Sequence, residues 1–321
     1  MLVAGPNLTI DRTAVLGELR PGEVLRFDRV VVTPGGKGLN VARAALALGH
    51  SALLVSLLPG HTGRAAAALI AEEGVELSGV PCGGELRSTL VVQERGGRTT
   101  VLNEPGPVVD ERRWADYENA VRGRLTSRSV LVCSGSVPPG APPDAYGRLV
   151  EIARGAGARA VVDAAGSTLL RALDAAPDLV TPNLAEAEGA LGLGGGGASV
   201  ASGPDARPRA LAAAEALLRQ GARAAVVTAD AAGAAVGSDG SGEWLPAPRV
   251  AEVRNPIGAG DVLLSALAGA WEQGSELLVA ARAGVAAASA SVEHPTGGML
   301  DPERARVLAA AMARANVNGE H

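Results

Sequence analysis

The chain has 321 residues and a formal net charge of −5, with 47% hydrophobic side chains but only 2% aromatic ones. That length suits one large α/β core with an appendage, and a core so poor in aromatics must be packed from Ala, Val and Leu. The acidic balance excludes a general attraction to nucleic acid or an anionic membrane, so any phosphate binding must be local.

The first apolar run leads into Asn7-Leu8-Thr9-Ile10-Asp11, where Asp11 reads as a turn-capping carboxylate or a polar ligand. Residues 12–33 and 86–103 alternate polar and apolar positions, which predicts a small sheet outside the main one. Within the second segment, Ser88–Gln93 and Arg98–Leu102 flank the turn Glu94–Gly97 and read as a hairpin.

Between these segments lies Pro34-Gly35-Gly36-Lys37-Gly38-Leu39-Asn40, a glycine turn running into a helix. Lys37 is the only lysine among 29 basic side chains. A compact ammonium kept where every other cation is a planar fork points to a ligand, with a solvated turn lysine as the alternative. No Ser or Thr follows the lysine, so this is not a Walker A loop.

Further on, short β-rich runs alternate with alanine-rich helical ones: 52–58 then 65–73, 130–133 then 143–156, 160–163 then 169–175. The pattern continues with a strand at 224–228 and helices after Asp261 and around 280–292. This predicts a mostly parallel sheet with helices on both faces, whose ligands gather at the carboxyl ends of the strands. Ser134, Asp163, Asn183 and Thr228 each follow a strand there. The low-complexity stretch 192–205 contains a formal G-x-G-x-x-G, but it follows a helix rather than a strand and reads as a surface loop.

A second glycine loop, Asn255-Pro256-Ile257-Gly258-Ala259-Gly260-Asp261, opens a long apolar helix. The N–H groups of Gly258, Ala259 and Gly260 start that helix without partners and form a candidate anion hole. Asp261 in the first turn is either a dipole partner or a catalytic carboxylate, and the helix N-terminus is expected to keep it ionised and weakly basic. Cys82 and Cys133 are the only cysteines, and the histidines have no metal-ligand spacing, so no disulfide framework or zinc site is implied. No apolar run approaches a membrane span, and a soluble cytoplasmic protein is expected.

GGKGLNVARAALALG and NPIGAGDVLLSALAG, with Asn103–Pro107, Ser134–Gly140 and Thr181–Glu186 between them, resemble the signatures of the ribokinase-like (PfkB-type) carbohydrate kinases. The resemblance is to the branch of bacterial 1-phosphofructokinases and tagatose-6-phosphate kinases, and it covers nearly the whole chain. It implies a single ribokinase-like kinase domain over 1–321, with the small sheet as a lid that in relatives often doubles as a dimer surface. It also implies ATP and Mg²⁺ as cofactors, with only small molecules besides a second copy as partners.

The resemblance carries roles to particular residues. Asp261 becomes the catalytic base beside Gly258, Ala259 and Gly260; Asp11, Gly35, Gly36 and Asn40 contact the sugar; Lys37 faces the phosphoryl region. Arg26 and Arg87, with Ser136 nearby, match positions that grip the substrate's own phosphate. Asn183 and Glu186 match a motif that organises Mg²⁺, often through water, and Thr228 and Gly233 stand with Gly258 and Gly260 near the nucleotide.

Three positions depart from the pattern. Val24 replaces a sugar-contacting lysine, Asp230 replaces a glycine near the nucleotide, and Asp163 is followed by Ala164-Ala165-Gly166 where relatives have serines, which argues against a direct role for it. The implied reaction is phosphorylation of the primary alcohol of fructose 1-phosphate, tagatose 6-phosphate or fructose 6-phosphate. A kinase of the same fold for a free sugar or nucleoside, and a non-catalytic sugar-phosphate sensor, stay open at this point.

Overall fold

In the computed structural model, which describes residues 1–193, 203, 205–238 and 240–318, the strands are β1 (Leu2–Ala4), β2 (Thr9–Leu16), β3 (Arg29–Gly35), β4 (Leu53–Pro59), β5 (Glu76–Cys82), β6 (Ser88–Glu94), β7 (Thr99–Asn103), β8 (Val130–Ser134), β9 (Arg159–Asp163), β10 (Leu179–Val180), β11 (Ala224–Thr228), β12 (Gly233–Ser238) and β13 (Ser241–Pro246). The helices are α1 (Lys37–Ala47), α2 (Gly60–Glu72), α3 (Glu111–Arg122), α4 (Ala145–Gly155), α5 (Gly166–Leu173), α6 (Leu184–Leu191), α7 (Ala206–Arg219), α8 (Ala259–Glu272), α9 (Leu277–Val292) and α10 (Pro302–Asn318).

The large sheet runs β13-β12-β11-β10-β9-β8-β1-β4-β5. Its pairs from β11 to β5 are parallel, and β12 and β13 close the other edge antiparallel. Parallel strands covered on both faces need unbroken apolar runs, and all five residues of β8 are buried.

Period-two alternation then assigns the faces. Leu131, Cys133, Val55 and Leu57 pack with residues of α3 to α7, whereas Val130, Val132 and Leu54 pack with α1, α2, α8 and α9. Alanine takes the place of aromatics, as the composition requires. Ala266 of α8 meets Ala286, Ala287 and Ala290 of α9 under α10. The fully buried exceptions are Trp114, Tyr117 and Tyr146; the Trp114 and Tyr117 ring centroids lie 5.1 Å apart, and the Tyr117 hydroxyl donates to Val55 O at 3.1 Å.

The smaller sheet, β3-β2-β6-β7, is separate from the large one, as expected, and includes the hairpin, with Thr89 opposite Asn103. It starts earlier than the alternation suggested: β2 begins at Thr9, so Asp11 is a strand residue opposite Thr33 rather than a turn cap. Most of the glycine-rich stretch 192–205 lies outside the described residues. No helix among the described residues is long and apolar enough to cross a membrane.

Candidate active site

Gly36 caps α1 at φ +119°, a conformation that side chains disfavour, and Lys37 is the first helical residue. From there the ammonium reaches across the carboxyl ends of the parallel strands. Its Nζ lies 3.4 Å from Asp163 Oδ2 at the end of β9 and 3.4 Å from Glu186 Oε1 in the first turn of α6. Asp163 Oδ2 also accepts the Ser134 hydroxyl at 3.2 Å. Burial alone would pull the Lys37 ammonium down, but Asp163, Glu186 and Asp261 together hold it above its ordinary value.

Asp163 therefore stands at the centre of the cluster, against the expectation drawn from its neighbours. Burial pushes its carboxyl up despite the pull of Lys37.

Asp261 follows the second loop as expected, with Gly258 as the N-cap of α8 at φ +80°. A Cβ on Gly258 would come within 2.8 Å of Gly298 Cα, so only glycine fits here against the segment between α9 and α10. The Ala259 N–H is not free: it donates to Pro256 O at 3.3 Å. The anion hole is thus narrower than expected, and the Gly258 and Gly260 N–H groups are its donors without backbone partners among the described residues.

Asn40 Nδ2 donates to Asp261 Oδ2 at 2.8 Å. The expected depression of this carboxyl is overturned. Burial, then the nearby Asp163 charge, raise it to about 7 in spite of the Asn40 hydrogen bond and Lys37. A helix dipole acts weakly against full desolvation.

A cavity of about 200 Å³ opens beside this cluster, lined by Asn7, Gly36, Lys37, Arg87 and Ser136 among others. Arg87 is pinned by Nε to Leu8 O at 3.2 Å and by Nη2 to Asn7 O at 3.1 Å, and Asn7 Nδ2 donates to Ser136 Oγ at 3.0 Å. Asn7 was not singled out in the sequence. Asp11 packs so closely on Gly35 that a Cβ there would overlap its carboxylate, and Asp11 Oδ1 is buried without a hydrogen-bond partner. Burial raises the Asp11 carboxyl too.

Other expected residues fall elsewhere. Arg26 is exposed in the segment between β2 and β3 of the small sheet and does not line the cavity, and Val24 near it is 91% exposed. Gly233 begins β12 at φ +134° and does not line the cavity; a side chain there would collide with Leu245 O of β13. Thr228 sits beside Asn183 in an isolated parallel bridge at the ends of β11 and β10.

Asp230 is exposed in a short 3-10 turn at φ +45°, the left-handed conformation that explains a glycine at this place. Asp tolerates it better than most residues. Asp230→Gly should change the folding free energy by less than about 1 kcal/mol, strain relief offsetting the looser unfolded chain, as a thermal melt would read.

Asn183 and Glu186 form a full capping box on α6: Asn183 Oδ1 accepts the Glu186 N–H at 2.8 Å, and Glu186 Oε2 accepts the Asn183 N–H at 3.0 Å. Glu186 Oε1 remains turned toward Lys37. Among the described residues no cluster of three or more His, Cys, Asp or Glu could hold a metal by itself. A hard oxygen donor of this kind fits a magnesium ion that keeps its waters and is shared with phosphates, not an all-protein cage.

Residues 6–303 match the model of the pfkB family carbohydrate kinases. The chain belongs to this family. The kinase is 31% identical to the 1-phosphofructokinase of Xanthomonas campestris pv. campestris over 95% of both chains. It is 30% identical to the ATP-dependent 6-phosphofructokinase isozyme 2 of Escherichia coli, over 90% of this chain and 91% of that one. Its fold superposes on phosphofructokinase-2 from Escherichia coli in complex with fructose-6-phosphate with a TM-score of 0.84 and 27% identity, covering 98% and 99% of the two chains. The ribokinase-like α/β fold with its separate small sheet is therefore shared, and the residues of the two glycine loops meet in it at one place.

Proposed function

We propose that this kinase transfers the γ-phosphoryl group of ATP to the free primary hydroxyl of a ketohexose monophosphate: fructose 1-phosphate, fructose 6-phosphate or tagatose 6-phosphate. The observation that carries this reading is Asp261, a buried carboxylate raised to about 7 and set beside the Gly258 and Gly260 N–H groups, which have no backbone partners among the described residues. A general base is most effective when it titrates near the working pH.

Asp261 takes the proton of the attacking hydroxyl. The sugar oxygen bonds to the γ-phosphorus as the bond from that phosphorus to the bridging oxygen breaks, releasing ADP. The Gly258 and Gly260 N–H groups meet the charge that develops on the transferred group, and Lys37 adds a fixed positive charge nearby. Mg²⁺ bound with the nucleotide would neutralise phosphate charge, held through water by Glu186 and Asn183.

At the other end, the orphan Asp11 Oδ1 suits a sugar hydroxyl, and Gly35 and Gly36 bring backbone close to the same place. Among the described residues Arg87 Nη1 has no hydrogen-bond partner, and Arg87 lines the cavity with Ser136, which suits the substrate's own phosphate. We assign that phosphate to Arg87 and not to the exposed Arg26 of the same chain. Val30, Val31, Val32, Val101 and Leu102 are exposed on β3 and β7, the two edge strands of the small sheet, and we read these edges as the surface for a second copy.

Arg87→Ala should raise the KM for the sugar phosphate roughly 10- to 150-fold, the loss of one charge-assisted contact, with a smaller change in kcat. Steady-state kinetics on parent and variant decide this. Equal KM values would move the substrate to an unphosphorylated sugar.

A further inference from the structure

Arg43 lies one turn beyond Asn40 on α1, and its side chain is only 19% exposed. Each arm of its fork is engaged. Nε donates to Glu73 Oε2 at 2.6 Å, and Nη2 donates to Glu73 Oε1 at 2.7 Å and to Pro34 O at 2.6 Å. Nη1 donates to Asn40 Oδ1 at 3.1 Å.

The consequence lies in the two-sidedness of an amide. Asn40 can present either its NH₂ or its oxygen to Asp261, and the oxygen would set two acceptors face to face. Arg43 has donors only, so it holds the Asn40 oxygen on its own side and leaves Nδ2 for Asp261. Glu73 fixes the fork from the end of α2, and Pro34 O ties it to the end of lid strand β3.

We propose that Arg43 is a positioning residue of the phosphoryl transfer: it holds the Asn40 amide in the orientation that donates to Asp261, and ties that orientation to the end of strand β3 through Pro34 O. The inference rests on Asp261 being the base. The charged groups that act on Asp261 are Asp163 from β9, Lys37 from α1 and Glu186 from α6. With the Asn40 donor misdirected, burial and the two carboxylates act with less opposition, so Asp261 holds its proton to higher pH. A lysine at 43 would supply charge but not a planar fork able to span Glu73, Pro34 and Asn40 at once.

The test uses the full chain, MgATP and whichever ketohexose phosphate the parent turns over fastest. Arg43→Met should lower kcat by about ten- to a hundredfold, as loss of an outer partner commonly does, with little change in KM. The acid limb of its kcat/KM profile should move to higher pH, and Arg43→Lys should stay impaired. In an Asn40→Ala background Arg43→Met should add little, because the two act as one unit.

Should Arg43→Met fail to fold, Glu73→Gln, on a partly exposed carboxylate, should move the acid limb the same way by a smaller amount. An unmoved limb in Arg43→Met or in Glu73→Gln, full rescue by Arg43→Lys, or an additive loss on Asn40→Ala would each overturn the proposal. If instead Asp261→Asn kept parental turnover, the base assignment itself would fall, and this inference with it.

Discussion

Asp261→Asn is expected to cost about 10² to 10⁴ in kcat, the usual price of losing a general base, with sugar-phosphate KM little changed. Asparagine keeps the shape and can still accept from Asn40 Nδ2, so the loss reports proton transfer and not a collapsed site. In the parent, the acid limb of kcat/KM should fall near the raised value of about 7, since the carboxylate must be ionised to act.

The same substitution should stabilise the fold, and the direction follows from the shift. In the unfolded chain this carboxyl ionises above about 3.8, whereas in the folded chain it holds its proton until about 7. Between those values the folded state binds more protons, so the parent loses stability as pH rises through the window. The asparagine variant does not. Its advantage should be absent near pH 4 and full at pH 8, with an upper bound of about 4 kcal/mol. Melting curves of both proteins at the two pH values measure it, and a variant no more stable at pH 8 would contradict the buried-charge account.

Lys37→Met should damage both stability and turnover. The ammonium is the counter-ion of Asp163, which is buried, and of Glu186. Removing one member of a buried pair costs about 3–5 kcal/mol, and the 42% exposure of the lysine side chain reduces this to about 1–3 kcal/mol. The Asp163 carboxyl is already pushed up by burial and can take a proton as pH falls, so the penalty should shrink from pH 8 to pH 5. Equal melting temperatures for parent and variant at pH 8 would mean that the three groups do not depend on one another.

The parts of this molecule that were legible in the sequence are those with a local cause. Both glycine loops, the helices they open and the hairpin across Glu94–Gly97 follow from turn chemistry and from period-two alternation within a few residues. Asp163 was set aside because its neighbours Ala164-Ala165-Gly166 depart from the family pattern, yet its place is set by Lys37, 126 positions away in sequence. No local pattern records such a contact. The wrong direction for Asp261 has the same origin: a helix start is readable, but the depth at which the carboxylate is buried is not. Arg43 was one arginine among many, and only the fold reveals that its fork spans Glu73, Pro34 and Asn40. Arg26 was named by its position, but it falls in an exposed segment between β2 and β3 and does not line the cavity.

The central claim is most directly tested by measuring ADP release from MgATP with fructose 1-phosphate, fructose 6-phosphate and tagatose 6-phosphate beside free fructose, free tagatose and ribose. The account predicts turnover with at least one ketohexose phosphate at a kcat/KM well above that of every free sugar, and its loss in Asp261→Asn. Turnover of a free sugar that matches or exceeds that of all three phosphates, or no ADP release with any of them, would contradict it.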